Sequence, residues 1–127
     1  YHATKHALEG WSDCLRIEVK PFGIDVVVVE PGGIKTPWGQ IAADNLKKTS
    51  GNGAYAEAAN KAAEGTVKMY SSNQLTKPEV IGKVILKAGT TRRPKTRYLK
   101  GYMAKPVVFM RKWFGDRVLD RVLKAVA

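Results

Sequence analysis

The 127 residues hold one cysteine, Cys14, so no disulfide can close within the chain. That fits a reducing, cytoplasmic setting, and the thiol's place in an apolar-periodic stretch reads as a small core hydrophobe rather than a nucleophile. No apolar run approaches the roughly 18 residues of a membrane-spanning helix, and no signal-peptide pattern is visible. Histidine is scarce too. His2 and His6 have no third ligand that would make a metal site, and both read as solvated or partly packed. Zinc-finger spacing, Arg-Gly repeats and aromatic RNA-binding motifs are missing, which weakens the nucleic-acid reading that a net charge of +11 would otherwise invite. Strands are few: a buried one over residues 24–30 and a short candidate over 97–101. A parallel sheet needs several neighbours and cover on both faces, so the partners of these strands are expected in residues outside this sequence.

What is present is concentrated at the start. Apolar residues at 3, 7, 8, 11, 14, 15 and 19 have the spacing of an amphipathic helix, closed by Pro21 and Gly23. On that helix Tyr1 and Lys5 lie one turn apart on one face. An ammonium held beside a phenol favours the phenolate, which makes the pair a proton donor and acceptor for work near neutral pH. Gly10 in mid-helix costs about 1 kcal/mol against alanine and suggests close approach of another backbone. The strand over 24–30 runs directly into Pro31-Gly32-Gly33, and in open parallel sheets ligands bind beyond the carboxyl ends of strands.

Three blocks in this order, Tyr1-x-Ala3-Thr4-Lys5-x-Ala7-Leu8-x-Gly10-Trp11-Ser12, the strand Ile24-Asp25-Val26-Val27-Val28-Val29-Glu30, and Pro31-Gly32-Gly33-Ile34-Lys35-Thr36-Pro37, resemble the C-terminal half of a short-chain dehydrogenase/reductase. The resemblance implies an α/β fold, the C-terminal part of a Rossmann-like doubly wound parallel sheet, with residues 1–127 forming half of a single NAD(P)-binding domain. It also implies that the N-terminal half is missing: the Gly-rich turn, an Asn-Ala-Gly stretch and the active-site serine are not here, so the fragment alone should be inactive. By the same resemblance the reaction is hydride transfer between NAD or NADP and an alcohol or carbonyl. Tyr1 is its general acid/base and Lys5 its helper at the nicotinamide ribose. Pro31, Gly32, Ile34 and Thr36 complete the cofactor site, with the Ile34 amide and Thr36 hydroxyl meeting the carboxamide. Which of the two cofactors binds is left open, as is the substrate. In this family the helix over residues 1–19 often packs against its mate, which implies a homo-oligomer; packing within one subunit is the alternative for Gly10 and Trp11.

Residues 38–75 read as a long connection with helical stretches at about 40–48 and 54–70, separated by a mobile loop, Lys47-Lys48-Thr49-Ser50-Gly51-Asn52-Gly53. In the resembled family this region covers the substrate, making Trp38, Ile41, Met69 and Tyr70 candidate wall residues. Thr76-Lys77-Pro78-Glu79 reads as a capping box opening a helix that Gly89 stops. Residues 102–127 form a tail with a break at Gly115-Asp116. Its plan resembles hydroxysteroid- and retinol-dehydrogenase-like members, and its basic residues among Trp and Phe admit peripheral membrane contact as an alternative to packing or subunit contact. Two rival readings stand beside the oxidoreductase: a basic nucleic-acid- or membrane-surface-binding module, and a catalytically silent structural relative.

Overall fold

A computed structural model of the chain describes residues 1–126. Its order is α1 (His2–Val19), a short 3-10 turn (Lys20–Phe22), β1 (Val28–Pro31), α2 (Trp38–Ser50), α3 (Ala56–Ser71), α4 (Pro78–Thr90), β2 (Arg97–Lys100) and α5 (Ala104–Val126). The fold is α/β: β1 and β2 pair in parallel, from Val28 opposite Arg97 to Pro31 opposite Lys100, and α4 packs on both strands. One further bond at each end, Val28 N–H to Thr96 O at 2.9 Å and Gly32 N–H to Lys100 O at 2.8 Å, extends the ladder.

The expected buried strand over 24–30 is shorter and displaced, covering Val28–Pro31, and it is half-buried. A strand exists only where a neighbour supplies backbone partners, and among the described residues β1 has one neighbour, which begins at Arg97. Residues 24–27 therefore have no ladder to join.

The larger surprise is the roll of α1. Of its apolar residues, Ala3, Ala7, Leu8, Trp11 and Cys14 are exposed, Trp11 at 60%, and Leu15 and Val19 half-buried, while Glu9, Ser12, Asp13 and Arg16 turn inward. Cys14 is thus a surface thiol and not a core residue. Nothing comes within 4 Å of a Cβ built at Gly10, so the close backbone approach expected there is not made among the described residues. The inward roll has an ionic cause, described below.

α2 and α3 form a helical hairpin whose seam is alanine: Ala43, Ala59 and Ala63 are buried, Ala63 completely. Small side chains let two backbones approach closely at little entropic cost. Lys47–Ser50 belong to the last turn of α2 rather than to a mobile loop, so the connection is only residues 51–55. The capping box does not form. Lys77 is the N-cap and no side chain caps the helix; Thr76 lies one residue before it, its backbone bridged to Ile34. Gly89 lies inside α4, which runs on to Thr90. The expected break in the tail is real: Gly115 has φ 74° and ψ 178°, a conformation that suits glycine, and α5 is two helices joined there.

Candidate active site

Tyr1 is the N-cap of α1, and the Lys5 ammonium sits 5.4 Å from the centroid of its ring. The local fold makes this pairing: Lys5 N–H donates to Tyr1 O at 3.1 Å, and the Thr4 hydroxyl donates to the same oxygen at 2.7 Å, so the first turn is closed on Tyr1. The phenol is 68% exposed and therefore open to a ligand. His2 lies edge-on to the Tyr1 ring at 5.4 Å.

Two of the four expected wall residues come to this point. The Trp38 ring lies between Tyr1 and Tyr70, 5.8 Å from each, making a row of three aromatics that starts at the candidate proton donor. Tyr70 reaches the row because Gly39 leaves room: a Cβ at Gly39 would overlap the Tyr70 ring. Burial, and then the charge a Tyr1 phenolate would carry, push the Tyr70 hydroxyl above its ordinary range, so it stays protonated as a hydrogen-bond donor. Ile41 and Met69 are exposed.

The Pro31-Gly32-Gly33 bend follows β1 and is fixed by backbone bonds. Gly33 N–H donates to Tyr102 O at 2.9 Å, Thr76 N–H donates to Gly33 O at 3.1 Å, and Lys35 N–H donates to Thr76 O at 2.9 Å. A Cβ at Gly32 would collide with the Tyr102 carbonyl, and one at Gly33 would lie 2.8 Å from Leu75 Cδ2. Close approach of neighbouring chain, rather than an unusual torsion, explains these two glycines. Between the engaged amides of Gly33 and Lys35, the Ile34 N–H has no backbone acceptor among the described residues, and Thr36 beyond it is exposed. An open groove of about 550 Å³ is lined by Lys5, Pro31, Gly32 and Gly33, together with Glu9 and Glu30. It brings the candidate lysine and the bend to one cavity.

Beneath the groove lies a charge cluster. Arg97, the first residue of β2, donates to Glu9 on α1, to Glu30 on β1 at 2.5 Å and to Asp13 on α1 at 2.8 Å. Arg16 also donates to Asp13 at 2.5 Å. Hydrogen bonds to Glu9 and Glu30 raise the Arg97 guanidinium further above its already high range. Arg16, aided by Arg97, holds the Asp13 carboxyl below the usual carboxylate range, outweighing partial desolvation. Sequence reasoning missed both Arg97 and Gly39. For Arg97 the signal would have been acidic residues at Glu9 and Asp13, one turn apart on an otherwise amphipathic helix; for Gly39 no local signal exists, since its partner is in another helix.

The family model for short chain dehydrogenase matches residues 1–47. The chain is 37% identical over 101 residues to a probable short-chain type dehydrogenase/reductase, VdlC, of Helicobacter pylori, covering 80% of this chain and 36% of that protein. It is 33% identical over 127 residues to an NADPH-dependent 3-dehydrocapnine reductase of Ornithobacterium rhinotracheale, covering 96% and 42%. Against retinol dehydrogenase 5 of Mus musculus it is 32% identical over 134 residues, covering 97% and 42%. The chain therefore spans about two fifths of the length of these curated relatives. No solved structure matches it significantly.

Proposed function

The chain belongs to the short-chain dehydrogenase/reductase family, and on that footing we propose that it carries the proton-transfer half of an NAD(P)-dependent oxidoreductase site that interconverts an alcohol and a carbonyl. The observation that carries this reading is the Lys5 ammonium 5.4 Å from the Tyr1 ring, with Lys5 also lining the groove of the Pro31-Gly32-Gly33 bend.

The donor set fits a nicotinamide nucleotide: an amide at Ile34 without a backbone partner among the described residues, an exposed Thr36 hydroxyl, a bend without side chains at Gly32 and Gly33, and Lys5 in the groove that these two glycines line. Ile34 and Thr36 would hold the carboxamide and Lys5 the ribose. When bound, the nucleotide supplies or accepts the hydride. In the reducing direction the Tyr1 phenol gives its proton to the substrate oxygen as that oxygen gains negative charge; in the oxidising direction the phenolate takes the hydroxyl proton. Lys5 would supply positive charge near the phenol, its ammonium lying 5.4 Å from the ring centroid. Trp38 and Tyr70 wall the substrate side, and the Tyr70 hydroxyl can donate to a substrate oxygen.

The working site extends beyond these residues. The Gly-rich turn and the serine expected from the family are not in this sequence, and among the described residues β1 pairs on one edge only. The outward apolar face of α1 is where a second subunit would pack. Replacing Tyr1 with Phe in the intact protein should lower carbonyl reduction by about 10²–10⁴-fold with the protein still folded. Unchanged turnover would remove Tyr1 from the mechanism, whereas an intact wild-type protein with no turnover at all would favour a silent relative.

A second reading concerns α5 alone. Lys105, Phe109, Lys112 and Trp113 are all exposed on it, with the two rings 6.0 Å apart, a composition suited to an anionic membrane surface. The intact protein should then sediment with vesicles containing phosphatidylserine and not with pure phosphatidylcholine vesicles, and Trp113→Ala should weaken that binding. Equal binding to both would end this reading.

A further inference from the structure

α1 carries Tyr1 and Lys5, yet within the described residues Ala3, Ala7, Leu8 and Trp11 face outward, and the less exposed side is Glu9, Ser12, Asp13 and Arg16, with Leu15 and Val19 only toward its C-terminal end. At the Lys5 end of the helix the tie to β1 is ionic. Arg97 binds Glu9 and Asp13, one and two turns beyond Lys5, and at the same time binds Glu30, the residue before Pro31. Tyr1, Lys5, Glu9 and Asp13 recur every four residues and so run along one side of the helix. The helix with the candidate lysine and the strand that enters the glycine bend are thus tied to the same planar group, 88 and 67 residues along the chain from its two main partners.

Resting on the reading of the site given above, we propose that Arg97 is a positioning residue: it sets the separation between Lys5 and the Pro31-Gly32-Gly33 bend, and through it the fit of the nicotinamide nucleotide. Planarity matters. A guanidinium presents its donors in a fixed fork and can hold three carboxylates from two elements, whereas an ammonium is a single point charge on a flexible stem. With Arg97 removed, Glu9, Asp13 and Glu30 face one another with only Arg16 to compensate, and their repulsion moves α1 away from β1. Tyr1 and Lys5 would travel together, since both are on α1. Nucleotide binding is therefore the property that changes, while the proton chemistry of the pair is not.

The test uses the intact protein with Arg97→Lys, Arg97→Met and Glu30→Gln, the last cutting only the arm to β1. NADPH and NADH dissociation constants are measured by fluorescence titration, alongside KM for the nucleotide, the pH profile of kcat and the melting temperature. Arg97→Met should weaken nucleotide binding at least tenfold, Arg97→Lys nearly as much and Glu30→Gln a few-fold, with the shape of the pH profile kept. Should Arg97→Met fail to fold, Glu30→Gln decides. Nucleotide binding within twofold of wild type in the folded variants, with only the melting temperature lowered, overturns the role of Arg97 and leaves the site reading in place. A wild-type protein that binds neither nucleotide overturns the site reading, and the role of Arg97 with it.

Discussion

α1 and the α2–α3 hairpin hold the two ends of the Tyr1–Trp38–Tyr70 row by opposite means. The hairpin closes on Ala43, Ala59 and Ala63, and Gly39 gives Tyr70 its seat, so shape alone fixes it. α1 is tied to the sheet by Glu9 and Asp13 on Arg97, while most of its apolar residues before Leu15 are exposed among the described residues. Close packing tolerates salt and pH but not volume, whereas exchanged charge tolerates volume but not salt or pH. The candidate proton-transfer residue sits on the charge-held element and its candidate wall on the shape-held one.

This contrast can be broken from either side. The largest effect is expected from Ala63→Leu, which overpacks a fully buried seam and should destabilise the intact protein by about 1–3 kcal/mol, read by chemical denaturation at low and high salt with equal loss in both. Next, Gly39→Ala should displace Tyr70 from Trp38, raising KM for substrate and lowering stability together, because the added methyl would fall 2.1 Å from Tyr70 Cγ, the root of the ring. Raising the salt from about 0.1 to 1 M shortens the Debye length from about 10 to about 3 Å, so hydrogen exchange should quicken in α1 and stay level in α3. The smallest effect comes with pH, and it has a sign for each end. Asp13 is held below its ordinary value of 3.8, so its contribution is present above that value and is lost as acid carries the pH below it, loosening α1 first. Tyr70 is held above 10.0, so its contribution is present below that value and fades as alkali carries the pH beyond it, loosening the wall first. Exchange profiles at both extremes that show the two elements loosening together would erase the distinction.

Much of the site was legible because its parts are local. A four-residue spacing puts Lys5 beside Tyr1, and a strand running into Pro31-Gly32-Gly33 places a bend at its carboxyl end; both are seen in the structure. The helices over the long connection appear close to their expected spans, as do β2 and the Gly115 break. What failed is non-local. The apolar spacing of α1 located a helix correctly but could not show that, among the described residues, much of the stripe is exposed while Glu9 on the other side meets an arginine 88 residues away. Thr76 has the sequence of a cap and is used as a bridge, because the bend needs its backbone. The strand over 24–30 was read from composition, but a ladder's length depends on its neighbour.

Cys14 lies three residues from Trp11 and four from Gly10, on the outward side of α1. Its sulfur is thus a built-in gauge of how crowded that side becomes in the assembled protein. A thiol reagent reacting at the pace of free cysteine would mean open water there, while a large slowing that mild dissociation relieves would measure, without any mutation, how firmly another surface lies against it.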